Sequence, residues 1–185
     1  IVGVLVLSFG AVNLEDIKAP YCFIVDKICR EKIGIPFFHD DQHGTAIVAA
    51  AAASNALIVA KKSFSDIKIV ALGAGAAGIA CLKMMMVMGA KKENITMIDS
   101  KGVVHTQRND LTAEKSEFAR NTTKRTTMEA MEGADLFLGV SGPGLLTQEM
   151  VKKMASHPII FALANPTPEI MPEEAREATA DALIS

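Results

Sequence analysis

Two pairs of neighbouring carboxylates are the first candidates for chemistry in this chain. Asp40 and Asp41 lie on a short turn between an apolar run and an alanine-rich run, and Glu15 and Asp16 also lie between apolar residues. Adjacent carboxylates repel each other, so a site that keeps both ionised usually supplies a cation, a shared proton or helix N-terminal amides. Oxygen donors suit hard cations, so the two pairs predict one Mg²⁺ or Mn²⁺ site. The alternative is a pair of solvated acidic loops.

Two histidines flank the acidic pair Asp40 and Asp41. His39 precedes it and His43 follows it. We interpret both as turn residues or as residues that support the ligands, and not as ligands themselves. The single tyrosine, Tyr21, is interpreted as a packing residue. The sequence shows no Ser, His and Asp constellation typical of nucleophilic catalysis.

A glycine-rich turn marks the second candidate site. Gly73, Ala74, Gly75, Ala76 and Gly78 follow an apolar strand-like segment and open a helical pattern. In dinucleotide-binding units the first glycine permits the tight turn, the second lets the pyrophosphate approach the backbone, and the third lets helix and strand pack closely. We therefore predict that these five residues bind NAD or NADP. A purely structural glycine turn is the alternative.

The choice between NAD and NADP depends on the end of the next predicted strand. Asp99 stands there, about 20 residues after the last glycine, where it would accept hydrogen bonds from the adenosine ribose. A carboxylate repels a 2′-phosphate and so favours NAD. Ser100, Lys101 and Arg108 are close in sequence and could accommodate that phosphate, so NADP stays open.

Two further loops follow the last two long strands of the predicted sheet. One contains Ser141 and the other contains Asn165. Ligands bind at the carboxyl ends of the strands in open parallel sheets. We therefore predict that both residues contact the cofactor, with simple turns as the alternative.

The elements that must position these residues alternate between strand and helix from residue 65 onward. Strands are predicted over residues 67–72, 95–99, 136–140 and 159–163, and helices over 76–88, 112–120, 128–132, 147–155 and 172–178. This alternation predicts an α/β fold with a doubly wound parallel sheet, a Rossmann-type NAD(P)-binding domain. Upstream, the patterns predict a buried strand over 1–7, a helix over 21–32, a strand over 35–38 and a helix over 46–61.

Composition narrows the function classes. The chain has 185 residues, half of them hydrophobic, and a net charge of −2, which gives no field for nucleic acid. Residues 1–7 are too short to span a bilayer, so no membrane partner is expected. Three cysteines without metal-ligand spacing indicate reduced thiols. We predict a cytoplasmic protein, with an organellar matrix as the alternative, and small-molecule partners.

The order and spacing of these motifs resemble malic enzymes. The resemblance is carried by residues 13–17, 38–46, 73–78, 99–102 and 161–166 and covers essentially the whole chain. The segment around the aspartate pair is the specific part, since glycine-rich turns occur in every dinucleotide-binding family. The resemblance implies oxidation of malate with reduction of NAD(P), followed by decarboxylation to pyruvate.

The resemblance also implies roles for individual residues. Glu15, Asp16 and Asp41 would bind the divalent ion, and Asp40 would assist proton transfer beside it. Gly73, Gly75, Gly78 and Asp99 would hold NAD(P), and Asn165 would touch the nicotinamide ribose or the substrate. The family's catalytic tyrosine and lysine belong to a region that precedes residue 1. We therefore expect this chain to be part of a longer protein and to turn over malate poorly by itself.

The expected organisation is a metal-bearing lead-in over residues 1–60 and the NAD(P)-binding domain over 61–185, with the active site in a cleft. Members of the family are commonly dimers or tetramers, so a homo-oligomer is expected. Two other functions stay open at this point. One is a dehydrogenase for another small acid that does not decarboxylate, and the other is a nucleotide-binding module without catalysis of its own.

Overall fold

The computed structural model describes residues 2–5 and 8–185. Eight α-helices lie in these ranges: α1 Val2–Leu5, α2 Tyr21–Lys32, α3 Thr45–Ala60, α4 Ala76–Val87, α5 Ala113–Ser116, α6 Thr127–Ala130, α7 Gln148–Val151 and α8 Pro172–Ala178. A π-helical turn, Asp40–Gly44, and a 3₁₀-helix, Lys92–Asn94, lie there as well. Eight strands accompany them: β1 Val12–Leu14, β2 Phe37–His39, β3 Ile69–Leu72, β4 Ile95–Asp99, β5 Gly102–Val103, β6 Leu136–Gly139, β7 Ile159–Ala162 and β8 Leu183–Ile184.

The main sheet has six strands in the order β5-β4-β3-β6-β7-β8. Five of them run parallel, and the short edge strand β5 runs antiparallel to β4. Within this sheet the chain begins at the central strand β3, continues outward to β4 and β5, and then crosses back to β6 on the other side of β3. Parallel neighbours need crossover connections, which the helices supply. The predicted α/β fold with a doubly wound, mostly parallel sheet is confirmed.

Alternate residues of each central strand enter two different hydrophobic cores, one on each face of the sheet. Along β3, Ile69 and Ala71 join the core that contains α3 and α4, whereas Val70 and Leu72 join the core that contains α6, α7 and α8. Side chains of a strand point alternately to opposite faces, so a strand buried on both faces is apolar throughout. Both faces of the sheet are therefore covered by helices.

Residues 12–60 contain a two-stranded sheet that is separate from the main sheet. Strands β1 and β2 pair in parallel, and β2 runs directly into a π-helical turn, Asp40–Gly44, which continues as α3. Ala46, Ala49, Ala53 and Leu57 of α3 belong to the same core as β3. The proposed boundary at residue 60 stays a prediction, and α3 packs with the elements on both sides of it.

The stretch Asp40–Ala60 is the one helical segment in the described ranges that is long and apolar enough, by composition, to cross a membrane. A buried core helix passes the same test. Ala46, Ala49 and Ala53 are at most 2% exposed and belong to the same hydrophobic core as Ile69 and Ala71 of β3. In its most apolar window 28% of the residues are buried, so the stretch is a helix with one face in the core and the other exposed.

The predicted strand over residues 1–7 is wrong where it can be compared. Val2–Leu5 is a single helical turn, and Val4 is exposed; residues 1, 6 and 7 lie outside the described residues. Short apolar runs fit a strand and a helix equally well, so the periodicity did not distinguish them. No strand in the described ranges pairs with this segment.

Two predicted helices are shorter than expected. The helix expected over 112–120 is α5, and the helix expected over 147–155 is α7. In both, the backbone bonds change to the tighter spacing of three residues, as in Phe118 N–H to Lys115 O and Met154 N–H to Val151 O. The chain then turns toward the sheet. Strands β1, β5 and β8 were not predicted because two or three residues carry no periodicity.

Candidate functional site

The glycine turn between β3 and α4 has the geometry that the sequence predicts. Gly73 has a φ of +122°, which only glycine adopts freely, and a Cβ there would lie 2.6 Å from the Val140 carbonyl oxygen. A Cβ on Gly78 would collide with the Gly73 carbonyl oxygen. A Cβ on Gly75 would meet nothing within 4 Å. Two glycines therefore serve packing within the chain, while Gly75 leaves open space in front of the turn.

A cavity of about 950 Å³ opens in front of this turn. Its walls include Gly73, Ala74, Gly75, Ala76, Asp99 and Ser141 from the sheet edge, and Asp16, Lys18, Pro20 and Asp41 from the lead-in. The volume is sufficient for a dinucleotide or for a large part of one. The structure thus brings the glycine turn and one member of each acidic pair to a single cavity.

Asp16 and Asp41 are in direct contact although 25 residues separate them. The Asp16 N–H donates to Asp41 Oδ2 at 2.9 Å, and Asp16 has a φ of +59°. β1 and β2 are paired strands, so the residues that follow them are held side by side. The oxygen donors of this pair fit a hard cation.

The third predicted ligand is placed differently. The Glu15 carboxylate accepts a hydrogen bond from Asn13 Nδ2 at 2.7 Å, and Glu15 does not line the cavity. Within residues 2–5 and 8–185, no group of three or more His, Cys, Asp or Glu side chains is gathered closely enough to hold a metal. The metal set of Glu15, Asp16 and Asp41 therefore stays a prediction.

Asp40 opens the π-helical turn and does not line the cavity. Its carboxylate lies against the Cα of Gly44, where a Cβ would collide with Oδ1. Gly44 has helical backbone angles, with φ −62° and ψ −54°, so its role here is to provide space and not an unusual conformation. A π-helical turn is rare and often occurs at functional sites.

His39 is fully buried beside the acidic pair. Its Nδ1 accepts from the side-chain amide of Gln42 at 2.6 Å, so the ring proton belongs on Nε2. That Nε2 has no hydrogen-bond partner and lies 3.7 Å from Asp41 Oδ2. His39 thus lies beside Asp41 without a hydrogen bond to it. His43 is less buried, and burial lowers its pKa.

Asp99 does not present a free carboxylate to the cavity. Arg108 donates to both of its oxygens at 2.8 and 2.9 Å, and Lys115 Nζ donates to Oδ2 at 2.7 Å. Burial by itself raises the pKa of Asp99, but the hydrogen bonds from Arg108 and Lys115 lower it to about 2. The sequence leaves Arg108 open as a residue that could accommodate a 2′-phosphate, and in the structure its guanidinium is paired with Asp99.

Asp110 extends this group to an ionic network. It accepts from Arg108 Nε at 2.9 Å and from Lys101 Nζ at 2.6 Å, and these contacts lower its pKa well below the ordinary range. Lys101, Arg108 and Lys115 thus face Asp99 and Asp110, which leaves one positive charge in excess. Lys115 and Asp110 were not predicted, because their pairing depends on how the loop after β5 folds back onto β4.

Ser141 and Asn165 occupy the expected loops after β6 and β7. Ser141 lines the cavity, whereas Asn165 is exposed outside it and precedes a cis peptide bond to Pro166. Between the two loops lies Glu169, which sequence reasoning missed. Its side chain is 0% exposed, and its carboxylate accepts from the Ser141 and Ala164 backbone N–H groups. Burial of this glutamate depends on the missing side chain of Gly139 at the end of β6, thirty residues earlier, so the sequence around Glu169 does not indicate it.

Comparisons with known proteins match this arrangement. The family described as malic enzyme, NAD binding domain, matches residues 42–185. An NADP-dependent malic enzyme of Halomonas elongata is 53% identical over 178 residues, which cover 96% of this chain and 42% of that protein. An NAD-dependent malic enzyme of Rhizobium meliloti is 51% identical over 185 residues, covering 100% of this chain and 24% of that protein.

A solved structure shows the same fold. The crystal structure of the NAD-dependent malic enzyme of Thermotoga maritima matches with a TM-score of 0.92 and 42% identity, covering 99% of this chain and 50% of that chain. The chain therefore spans between 24% and 50% of the length of these relatives. The family match covers most of the chain, including the glycine turn, Asp99 and both loops at the sheet edge. This chain belongs to the malic enzyme NAD-binding domain family.

Proposed function

We propose that the protein containing this chain is a malic enzyme, which converts malate and NAD(P)⁺ to pyruvate, CO₂ and NAD(P)H. The observation that supports this most directly is the shared cavity. Asp16 and Asp41 line the same space as the glycine turn and Asp99. A dehydrogenase that also decarboxylates needs a hydride acceptor and a site for charge on the substrate oxygens next to each other.

The proposed roles of the glycine turn, Asp16, Asp41 and Ser141 follow from their positions in the cavity wall. Those of Glu15, Asp40 and Asn165, which do not line the cavity, rest on the family resemblance. The glycine turn and the N-terminus of α4 bind the pyrophosphate, and Ser141 and Asn165 bind near the nicotinamide end. Asp16 and Asp41, with Glu15, hold the divalent cation, Mg²⁺ or Mn²⁺, and Asp40 accepts or returns a proton beside them. His39 supports Asp41 from the buried side. When bound, NAD(P) supplies the hydride acceptor and the cation supplies a Lewis acid at the substrate oxygens.

Glu15 needs a change of rotamer to join this set, because its carboxylate is hydrogen-bonded to Asn13. That contact is exposed and weak, since an exposed hydrogen bond contributes only about 1 kcal/mol. The loss of this hydrogen bond is therefore only a small cost for cation binding at Glu15. We infer that the lead-in, residues 1–60, carries the cation site and that residues 61–185 carry the cofactor site.

The remaining proposals concern the whole protein. We infer a homo-oligomer in the cytoplasm or an organellar matrix, with malate and pyruvate as the small-molecule partners and no nucleic acid or membrane. NAD and NADP stay open as cofactors. Asp99 is already compensated by Arg108 and Lys115, so its charge does not by itself exclude a 2′-phosphate.

The decisive experiment is calorimetric titration of Mn²⁺ into the full-length protein, with and without NAD(P)H, for wild type and Asp41→Asn. Asp66→Asn is the matched control, since Asp66 is exposed and its side chain makes no hydrogen bond in the described ranges. We expect Asp41→Asn to weaken Mn²⁺ binding at least about tenfold, because a carboxylate ligand is replaced by an amide that carries no charge. The control is expected to bind like wild type.

The same preparations distinguish the competing functions. Malate-dependent reduction of NAD(P), lost in a chelator and weakened by Asp41→Asn, supports the malic enzyme. Activity with another small acid that persists in a chelator would favour a dehydrogenase without decarboxylation. Cofactor binding without any turnover by the full-length protein would favour a nucleotide-binding module. Equal Mn²⁺ affinity in all three proteins would reject the cation site at Asp41.

A further inference from the structure

We propose that Glu169 is a positioning residue for the cofactor site, where its buried carboxylate ties together the two loops that carry Ser141 and Asn165. This inference rests on the proposed function only for the identity of the ligand, a nicotinamide dinucleotide. The role itself is argued from the contacts of Glu169.

Glu169 is buried without a cationic partner. Its side chain is 0% exposed, and no ion pair in the described ranges includes it. It lies between Pro168 and Ile170, after the cis peptide bond at Asn165 and Pro166. A buried carboxyl group is costly unless hydrogen bonds replace its water. The partners of Glu169 therefore explain why this residue is tolerated inside the fold.

Those partners belong to two different loops. Oε1 accepts from the Ser141 N–H at 2.8 Å, and Oε2 accepts from the Ala164 N–H at 3.1 Å. Ser141 follows β6 and Ala164 follows β7, so one carboxylate binds the second residue beyond each of two neighbouring strands. The residue after Ala164 is Asn165. A single side chain thus fixes the spacing of the two loops.

The fold makes room for this carboxylate at one position. A Cβ on Gly139, the last residue of β6, would lie 2.6 Å from Glu169 Oε2 and 2.8 Å from Oε1. Any other residue at 139 would displace the carboxylate. Two backbone hydrogen bonds join the same two segments, from Gly144 N–H to Pro168 O and from Leu146 N–H to Glu169 O.

Val140, which precedes Ser141, connects the Ser141 loop to the glycine turn. Val140 lies between Gly139 and Ser141, and its carbonyl oxygen would be 2.6 Å from a Cβ on Gly73. Its Cγ2 atom would be 3.3 Å from a Cβ on Gly78. A shift of the Ser141 loop therefore moves Val140 atoms that lie next to the glycine turn. Glu169 does not line the cavity itself, so its effect on a ligand is transmitted through Ser141, Val140 and Asn165.

The test compares Glu169→Gln and Glu169→Asp with Glu174→Gln in the full-length protein. Glutamine has the size of glutamate but turns an NH₂ group toward one of the two N–H donors, so one contact becomes repulsive. Aspartate keeps both acceptors on a shorter side chain. Glu174 is the matched control, because its carboxylate also accepts a backbone N–H, from Met171 at 3.2 Å, but at the exposed start of α8.

The readouts are the Kd for NADPH and for NADH by fluorescence and the cofactor KM and kcat, all at a temperature where thermal unfolding shows each variant fully folded. We expect Glu169→Gln to raise the Kd and the cofactor KM roughly tenfold, since small displacements of positioning groups have large effects on a site. Glu169→Asp should recover part of this loss, and Glu174→Gln should bind like wild type.

A Kd for Glu169→Gln within twofold of wild type would overturn the inference, and so would equal losses in Glu169→Gln and Glu174→Gln. Failure of the wild-type protein to bind either dinucleotide would instead reject the proposed function. If Glu169→Gln does not fold, amide hydrogen exchange of the wild-type protein decides. Slow exchange of both the Ser141 and Ala164 amides, slowed further by NADPH at both together, supports the role, and fast or independent exchange contradicts it.

Discussion

At the scale of single residues, Asp99 is predicted to bind the cofactor and also has a structural role. Its side chain is only 7% exposed and accepts from Arg108, Lys115 and the Lys101 N–H. These donors hold the end of β4 and the loop after β5 against each other. A cofactor ribose placed here would therefore meet a carboxylate whose charge is already compensated.

This arrangement predicts an acid-sensitive contribution to stability. The pKa of Asp99 is about 2 in the folded chain, and the ordinary value is 3.8. A group with a lowered folded pKa stabilises the fold above its unfolded pKa, and that stability is lost as the pH falls through the folded value. We expect about 2 kcal/mol from Asp99 to be lost between about pH 4 and pH 2.

Urea unfolding of wild type and Asp99→Asn at several pH values measures this. The free energy difference between the two proteins should be largest near neutral pH and shrink toward about pH 2. Asp66→Asn serves as the control, because the difference between it and wild type should be small and should not depend on pH in this way. A constant difference for Asp99→Asn over the whole range would show that the ion pairs do not contribute as described.

At the scale of elements, the glycine turn combines two separate requirements. Gly78 must be glycine because α4 approaches the Gly73 carbonyl oxygen, whereas nothing in the chain occupies the space in front of Gly75. The turn thus needs Gly73 and Gly78 for its own packing, whereas the space in front of Gly75 is open to a ligand. The same residue type in one motif therefore has different effects on stability and on binding.

Replacing each glycine by alanine separates the two requirements. Gly78→Ala should destabilise the fold by about 1–3 kcal/mol, as expected for overpacking at a backbone contact. Gly75→Ala should change the free energy of unfolding by less than about 0.5 kcal/mol, because its φ of −93° suits alanine and its Cβ meets no atom within 4 Å. It should nevertheless weaken dinucleotide binding, since the pyrophosphate approaches there.

Thermal unfolding and NADPH titration of the two variants check this pair, and each variant is the control for the other. A Gly75→Ala protein that binds NADPH like wild type would show that the pyrophosphate does not approach this glycine. A fully stable Gly78→Ala protein would show that α4 can move away from β3 without cost.

At the scale of the whole molecule, α3 has two very different faces. One face contributes Ala49, Ala53 and Leu57 to the core. The other leaves Ile47, Val48, Ile58 and Val59 exposed, each by more than half. Ile47 and Ile58 are eleven residues apart, as are Val48 and Val59, which is about three helical turns. These four side chains lie on one side of α3 as two apolar pairs, with the exposed Ala51 and Asn55 between them, and we call this face the α3 stripe. Exposed apolar patches are typical of interaction surfaces.

We expect this α3 stripe to be buried between subunits of the proposed homo-oligomer. Val59→Glu should shift the full-length protein toward monomer in sedimentation equilibrium, because a buried carboxylate without a partner is costly at an interface. Val87→Glu is the matched control, since Val87 is equally apolar and 84% exposed on α4. If both variants keep the wild-type mass, the stripe does not lie in a subunit interface.

Much of this molecule could be predicted from local sequence. The long elements were predicted because they have clear limits, as in α2, which occupies the predicted residues, and in β4, which ends at Asp99 as expected. The glycine turn was predicted because its residues contribute through their own backbone angles and their lack of side chains. These properties belong to neighbouring residues and do not depend on the rest of the fold.

The sequence by itself thus determined the fold class, the glycine turn and the presence of acidic pairs, since periodicity and residue type act over a few positions. Only the tertiary structure decided which of these groups meet. It joins Asp16 to Asp41 across paired strands, commits Arg108 and Lys115 to Asp99, and buries Glu169 over Gly139. Such contacts form between residues far apart in the chain, where position is set by strand order and packing and not by local propensity.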